Sequence, residues 1–128
     1  MVGLVLVSHV RGLAEGAAEL GRLMAPTVVV EAAGGLADGS PGTDYERIMG
    51  AVEHVLGQCP EGVLVVADMG SSVMTAEMVV EDLGDERVVL ADCPFAEGTV
   101  AAMVSASAGE PLDAVRASAE ETRGACKR

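Results

Sequence analysis

His9 directly follows an apolar run that ends at Ser8, in the stretch Val2–Gly12 (VGLVLVSHVRG), and it is one of two histidines in 128 residues. A carboxylate that accepts a hydrogen bond from one imidazole nitrogen fixes the tautomer and leaves the other nitrogen as a nucleophile. Asp68 is placed to supply that carboxylate, because it closes a second apolar run, GVLVVAD. Two loops carry groups suited to a phosphoryl oxygen. Asp68–Ser72 (DMGSS) offers Gly70, Ser71 and Ser72, and Gly39–Asp44 (GSPGTD) offers Gly42 and Thr43 and ends in a cap-like Thr43-Asp44. Each precedes a helical pattern, and a helix start presents unpaired N–H groups and a partial positive charge. Glycine there lets backbone approach the ligand closely. Ser, Thr and Asp at such places are also ordinary helix caps, so both uses stay open.

The remaining ionisable side chains have blander readings. His54 falls mid-helix between Glu53 and Val55, off the apolar stripe, and reads as a surface residue. Arg11 is either an exposed loop cation or a neutraliser of phosphate near His9. Glu81-Asp82 and Asp85-Glu86 bracket a helix end as a solvated acidic turn.

For His9 and Asp68 to meet, the chain must bring two strand ends together. Strands are predicted at 2–7, 27–33, 63–67 and 87–91. Helices are predicted at 13–24, 44–56, 72–83, 99–108 and 112–122. The first helix carries apolar residues at 13, 17, 20 and 24. The second faces inward at 45, 48, 49, 52, 55 and 56, with Gly57 placed to end it. This alternation predicts an α/β fold: one doubly wound domain over 1–128 with a mainly parallel sheet flanked by helices. In strand order 2-1-3-4 the first and third strands are neighbours at the switch point, where such sheets bind ligands. His9 and Asp68 then share one rim.

Composition narrows the function. Half the residues are hydrophobic but Tyr45 and Phe95 are the only aromatics, so Val, Leu, Ala and seven Met must build the core. That leaves little to stack on a flavin or an unstacked base. A formal charge of −12 repels nucleic acid; it serves plain solubility first and also suits a locally basic protein partner. Cys59, Cys93 and Cys126 are odd in number and lack CxxC spacing, which argues for free thiols and against a zinc site or disulfide framework. No phosphate-binding Gly-rich fingerprint for a dinucleotide or P-loop follows strand one. No cofactor or metal is expected. The absence of a basic leader or a membrane-length apolar run makes the cytoplasm the expected compartment.

VGLVLVSHVRGLAEG, AAGGLADGSPGTD, GVLVVADMGSSVMTAE and CPFAEGTVAA, taken in order, resemble the DhaM family. These are phosphotransferase subunits of bacterial dihydroxyacetone kinase whose leading domain has the mannose-class enzyme IIA fold. The resemblance runs over essentially the whole chain. Ser-His after strand one, Gly-Thr-Asp before helix two and Asp-x-Gly-Ser after strand three carry it jointly. Val10, Ser72 and the PFAEG turn depart from the usual family residues, which at position 72 is alanine.

The resemblance implies that His9 accepts phosphate from phospho-HPr and passes it to ADP on DhaL, which acts with DhaK. It implies that Asp68 orients His9, that Gly42, Thr43, Gly70, Ser71 and Ser72 line the phosphate pocket, and that the protein is a homodimer. The small-residue stretch Gly98–Gly109 fits a helix buried on several sides, within the chain or between copies. Some members carry HPr-like and enzyme-I-like domains, and a chain ending at Arg128 is expected to use a separate donor. Two alternatives remain: a mannose-class IIA component of a sugar transporter, and a non-catalytic regulatory binding module.

Overall fold

The computed structural model describes residues 1–128. Strands β1 (Gly3–Ser8), β2 (Val30–Gly34), β3 (Val63–Ala67) and β4 (Val88–Ala91) alternate with helices α1 (Arg11–Met24), α2 (Tyr45–Gln58) and α3 (Ser71–Leu83). Helices α4 (Phe95–Ser107) and α5 (Leu112–Glu121) follow β4. The sheet is wholly parallel in the order β2-β1-β3-β4, as the alternating pattern predicted. Every residue of β1 and β3 is buried, which explains why these strands read as continuous apolar runs. One face carries a 16-residue cluster containing α1, α4 and α5 side chains, and the other a 14-residue cluster containing α2 and α3 side chains. Both faces are therefore covered.

Register delivers the site. Val7 pairs with Ala67, so Ser8 lies beside Asp68 and His9 stands one step beyond the sheet. The Asp68 N–H donates to the Val7 carbonyl at 2.9 Å, extending the ladder to the residue that carries the carboxylate.

Three local readings shift. The buried face of α1 is Ala14, Ala17, Ala18 and Gly21, while Leu13, Leu20 and Met24 are exposed. α1 lies against α4 so closely that a Cβ on Gly21 would stand 2.1 Å from Met103 Sδ, and only a small-residue face fits there. α2 runs through Gly57 to Gln58. It stops where Cys59, turned out of the helical region (φ −125°, ψ 74°) ahead of Pro60, donates its N–H to the Val55 carbonyl. α4 starts at Phe95, four residues before the predicted boundary, directly after Pro94. Of its small residues Gly98, Thr99, Ala102, Ser105 and Ala106 are buried within its own chain, where Ala102, Met103 and Ala106 share a core with Ala17 and Ala18 of α1 and Val115 and Ala119 of α5. No helix is long and apolar enough to cross a membrane.

Candidate active site

His9 and Asp68 meet at the carboxyl ends of β1 and β3. His9 Nδ1 lies 3.1 Å from Asp68 Oδ1 and 3.3 Å from Oδ2. The carboxylate is itself held on both oxygens. Oδ2 accepts from the Ser8 hydroxyl at 2.9 Å and the His9 N–H at 3.2 Å, and Oδ1 accepts from the Met69 N–H at 2.7 Å. Burial pushes the Asp68 carboxyl up, but hydrogen bonds from the Ser72 hydroxyl, the Met69 and His9 N–H groups and the Ser8 hydroxyl outweigh it. The carboxyl is held below its ordinary value. Asp68 is thus ionised at neutral pH and accepts from Nδ1–H, which puts the lone pair of the ring on Nε2.

Nε2 faces the open side. The Ser71 hydroxyl donates to it at 2.7 Å and accepts from the Thr43 hydroxyl at 2.9 Å, so the loops before α2 and α3 meet at this nitrogen. The His9 side chain is 30% exposed against 10% for Asp68, so the ring is open to solvent while the carboxylate beside it is shielded. Gly70, the N-cap of α3, has φ 54° and ψ −122°, a conformation that side chains resist. It also brings no side-chain acceptor, and while the Ser72 N–H donates to the Met69 carbonyl at 3.1 Å, the Ser71 and Val73 N–H groups of the first turn stay available to an anion. Gly42 donates its N–H to the His9 carbonyl at 2.9 Å and pins the second loop against the first.

The two loops differ in kind. Asp44 Oδ1 accepts from the Glu46 and Arg47 N–H groups at 3.1 and 3.3 Å, so α2 is capped by its own chain. α1 and α3 have no side-chain cap, and both begin beside His9. Ser72 lies apart from Ser71: it is buried, with its hydroxyl 3.0 Å from Nδ1, on the Asp68 side of the ring.

Sequence reasoning gave Ser8 no role of its own. Its hydroxyl donates to Asp68 and accepts from the Val10 N–H at 3.0 Å, coupling the start of α1 to the carboxylate. The available signal was a lone hydroxyl closing an otherwise apolar strand. Gly34 was likewise passed over. A Cβ there would lie 2.8 Å from both Arg11 Cα and the Val10 carbonyl oxygen, so its bareness lets the His9–α1 turn close onto β2. His54 is a surface residue, 3.3 Å from Glu31 and 64% exposed, and Arg11 is exposed. In the acidic turn, Asp82 accepts from the Tyr45 hydroxyl and Asp85 pairs with Arg87 at 2.7 Å.

Comparison with known proteins gives a consistent picture. Residues 3–116 match the EIIA-man family, described as PTS system fructose IIA component. The phosphoryl donor subunit DhaM of a PEP-dependent dihydroxyacetone kinase from Escherichia coli (strain K12) is 42% identical over 122 residues, covering 90% of this chain. This chain spans about a quarter (25%) of that protein's length. The phosphotransferase subunit DhaM of a PTS-dependent dihydroxyacetone kinase from Lactococcus lactis subsp. lactis (strain IL1403) is 31% identical over 119 residues, covering 93% of this chain and 94% of that one. Among solved structures, the protein of unknown function EF1359 superposes with a TM-score of 0.81 at 27% identity, covering 94% of this chain and 93% of that one. The chain belongs to the EIIA-man family of phosphotransferase-system IIA components, alongside the DhaM subunits.

Proposed function

We propose that this protein is a phosphoryl carrier: His9 takes a phosphoryl group from phospho-HPr and delivers it to ADP held by a DhaL-type subunit. That subunit works with a DhaK-type subunit on dihydroxyacetone. The observation that carries the reading is the division of labour on one ring, with Nδ1 committed to Asp68 and Nε2 held at the open side only by a hydroxyl that can turn. The names of the DhaM relatives support the kinase as destination.

The chemistry closes without a proton relay through the protein. The Nε2 lone pair attacks phosphorus, the N–P bond to the donor imidazole breaks, and that ring leaves with the bonding pair. His9 keeps its Nδ1 proton and becomes a phosphorylated imidazolium, whose charge Asp68 balances. Ser71 must release Nε2 for the attack, at a cost of about 1 kcal/mol. Its hydroxyl can then donate to a phosphoryl oxygen, with the α3 N–H groups beyond it. In the second step a terminal phosphate oxygen of ADP attacks phosphorus, the Nε2–P bond breaks, and neutral His9 returns. Gly42, Thr43, Gly70 and Ser71 line the pocket in this reading, and no cofactor or metal takes part. Cytoplasmic location and a homodimer belong to the same proposal. Light scattering at micromolar concentration decides the dimer: twice 12.9 kDa supports it and a monomer rejects it.

The test is incubation with phosphoenolpyruvate, enzyme I and HPr, followed by transfer to DhaL–ADP or to a mannose-class IIB domain. Labelling of His9 and formation of ATP on DhaL is the expected result. Transfer to the IIB domain alone moves the protein to the sugar-transporter reading, which the fructose IIA description of its family also suits. Absence of labelling leaves a binding module.

A further inference from the structure

His9 stands on a turn that the main chain does not close. The Ser8 carbonyl, which a main-chain turn would use, accepts instead from the Gly35 N–H at 3.0 Å. The turn is closed by a side chain: the Val10 N–H donates to the Ser8 hydroxyl oxygen at 3.0 Å, so one neighbour of His9 is bonded to the other across it. An N–H can only donate, and that fixes the direction of the next bond. The Ser8 O–H is left to donate, and Asp68 Oδ2 accepts it at 2.9 Å. One oxygen atom thus grips both the chain that carries the imidazole and the carboxylate that orients it.

Two main-chain donors also reach the carboxylate, and neither does the same task. The Met69 N–H, 2.7 Å from Oδ1, belongs to the residue after Asp68 and moves with it. The His9 N–H, 3.2 Å from Oδ2, is the longer of the two donor bonds that cross from the end of β1 to the carboxylate. Ser8 is fully buried and lies opposite Gly34 in the sheet, a neighbour with no side chain to offer in its stead.

We infer that Ser8 is a positioning residue for His9: its hydroxyl sets the angle between ring and carboxylate, keeping Nδ1–H on Asp68 and Nε2 toward the open side. The consequence for transfer rests on the function proposed above. In-line displacement at phosphorus needs the Nε2 lone pair aimed, and the ring pivots on the turn that Ser8 closes. The task requires one oxygen that accepts from an N–H and donates onward. Serine and threonine carry such an oxygen; alanine has none, and a cysteine thiol donates and accepts weakly.

The experiment compares Ser8→Ala, Ser8→Cys and Ser8→Thr with wild type, by ¹⁵N NMR of the unphosphorylated protein with its ring neutral and by rapid-quench labelling. In Ser8→Ala the ratio of Nδ1–H to Nε2–H tautomers of His9 should fall at least about threefold. Its Val10 amide should exchange about 10-fold faster relative to the amides of Leu6 and Val66, which report global stability. Labelling from phospho-HPr should slow by about 5- to 20-fold. Ser8→Thr, which keeps the hydroxyl, should bring tautomer ratio and labelling back to within about threefold of wild type. Ser8→Cys, which keeps the volume, should follow alanine. A serine that only fills space gives the opposite order, with cysteine restoring transfer and the tautomer ratio unmoved throughout. An unchanged ratio in Ser8→Ala, full recovery in Ser8→Cys, or a threonine no better than alanine overturns the inference. The NMR arm uses no phosphoryl donor, so a wild type that takes no label defeats the proposed function and leaves the role of Ser8 to be decided by the tautomer ratio.

Discussion

Replacing Asp68 by Asn removes one charge and changes one atom type, and the structure sets the size of the effect. Both carboxylate oxygens accept from main-chain N–H groups, Met69 on Oδ1 and His9 on Oδ2. Either orientation of the amide therefore points its NH2 at a backbone donor that cannot turn away. That mismatch costs about 1–3 kcal/mol of folding stability, but it is present with and without phosphate and cancels from the transfer step. What does not cancel is the carboxylate facing the imidazolium that phosphorylation creates. Unit charges about 4 Å apart at an effective dielectric near 20 interact by about 4 kcal/mol. The open side of the ring screens this to about 2–3 kcal/mol, and each 1.36 kcal/mol is tenfold. Single-turnover phosphorylation of Asp68→Asn from phospho-HPr should therefore slow by about 30- to 150-fold, with a smaller labelled fraction at equilibrium. Rapid-quench measurement of the labelled protein reads both, and far-UV circular dichroism should match wild type. A rate within threefold of wild type with an unchanged labelled fraction would refute the role given to the carboxylate.

Two glycines test the scaffold in different ways. Gly70→Ala meets nothing within 4 Å but must hold φ 54° and ψ −122°, so it should cost ~1–3 kcal/mol in urea unfolding and slow labelling by misplacing Ser71. Gly34→Ala presses on Arg11 Cα, the Val10 carbonyl and Ala14 Cβ, none of which is a flexible tip; a loss of ~1–3 kcal/mol is expected, and wild-type stability would show that the α1 turn is not braced there. Burial pushes the Cys93 thiol up to about 11 and raises that of Cys59, whereas Cys126 is exposed. Iodoacetamide at pH 8 should modify Cys126 first, as peptide mapping would report. Asp68 and Asp85 have folded carboxyls held below 3.8, Asp85 at about 2 through hydrogen bonds from Arg87. Their contribution is complete above the unfolded value and lost as pH falls through the folded one, so the urea midpoint should hold from pH 7 to about 5 and drop below about 4. Tyr45, pushed up to about 12 by its bond to Asp82, acts oppositely, and its share should decline as pH rises past about 10 and be gone above about 12.

The parts of the site tied to the sheet were legible in the sequence, because strand periodicity and the switch-point rule determine where β1 and β3 end. His9 and Asp68 follow directly from that. What was not legible depends on how helices sit on the sheet. The spacing of Leu13, Leu20 and Met24 marks an apolar stripe. Yet α1 buries Ala14, Ala17, Ala18 and Gly21, because Met103 of α4 occupies the space over Gly21. Hydrophobicity ranks leucine above alanine, and close helix approach reverses that choice. The loop hydroxyls posed the same difficulty. Ser71 and Ser72 are adjacent and alike in sequence, but α3 turns one toward Nε2 and buries the other beside Nδ1. Asp44 and Gly70 both precede helices, and only the structure separates the closed cap from the open one.

The position of phosphate on the ring tests the central claim most directly. Uniformly ¹⁵N-labelled protein, phosphorylated through enzyme I and HPr, can be followed by ³¹P and long-range ¹H–¹⁵N NMR. The expected spectrum shows phosphorus coupled to Nε2 of His9 with a proton retained on Nδ1, and His9→Ala shows no phosphoramidate while His54→Ala is unchanged. Phosphorus on Nδ1, on a serine hydroxyl, or on a protein that lacks His9 would contradict the assignment of Asp68 to one nitrogen and phosphate to the other.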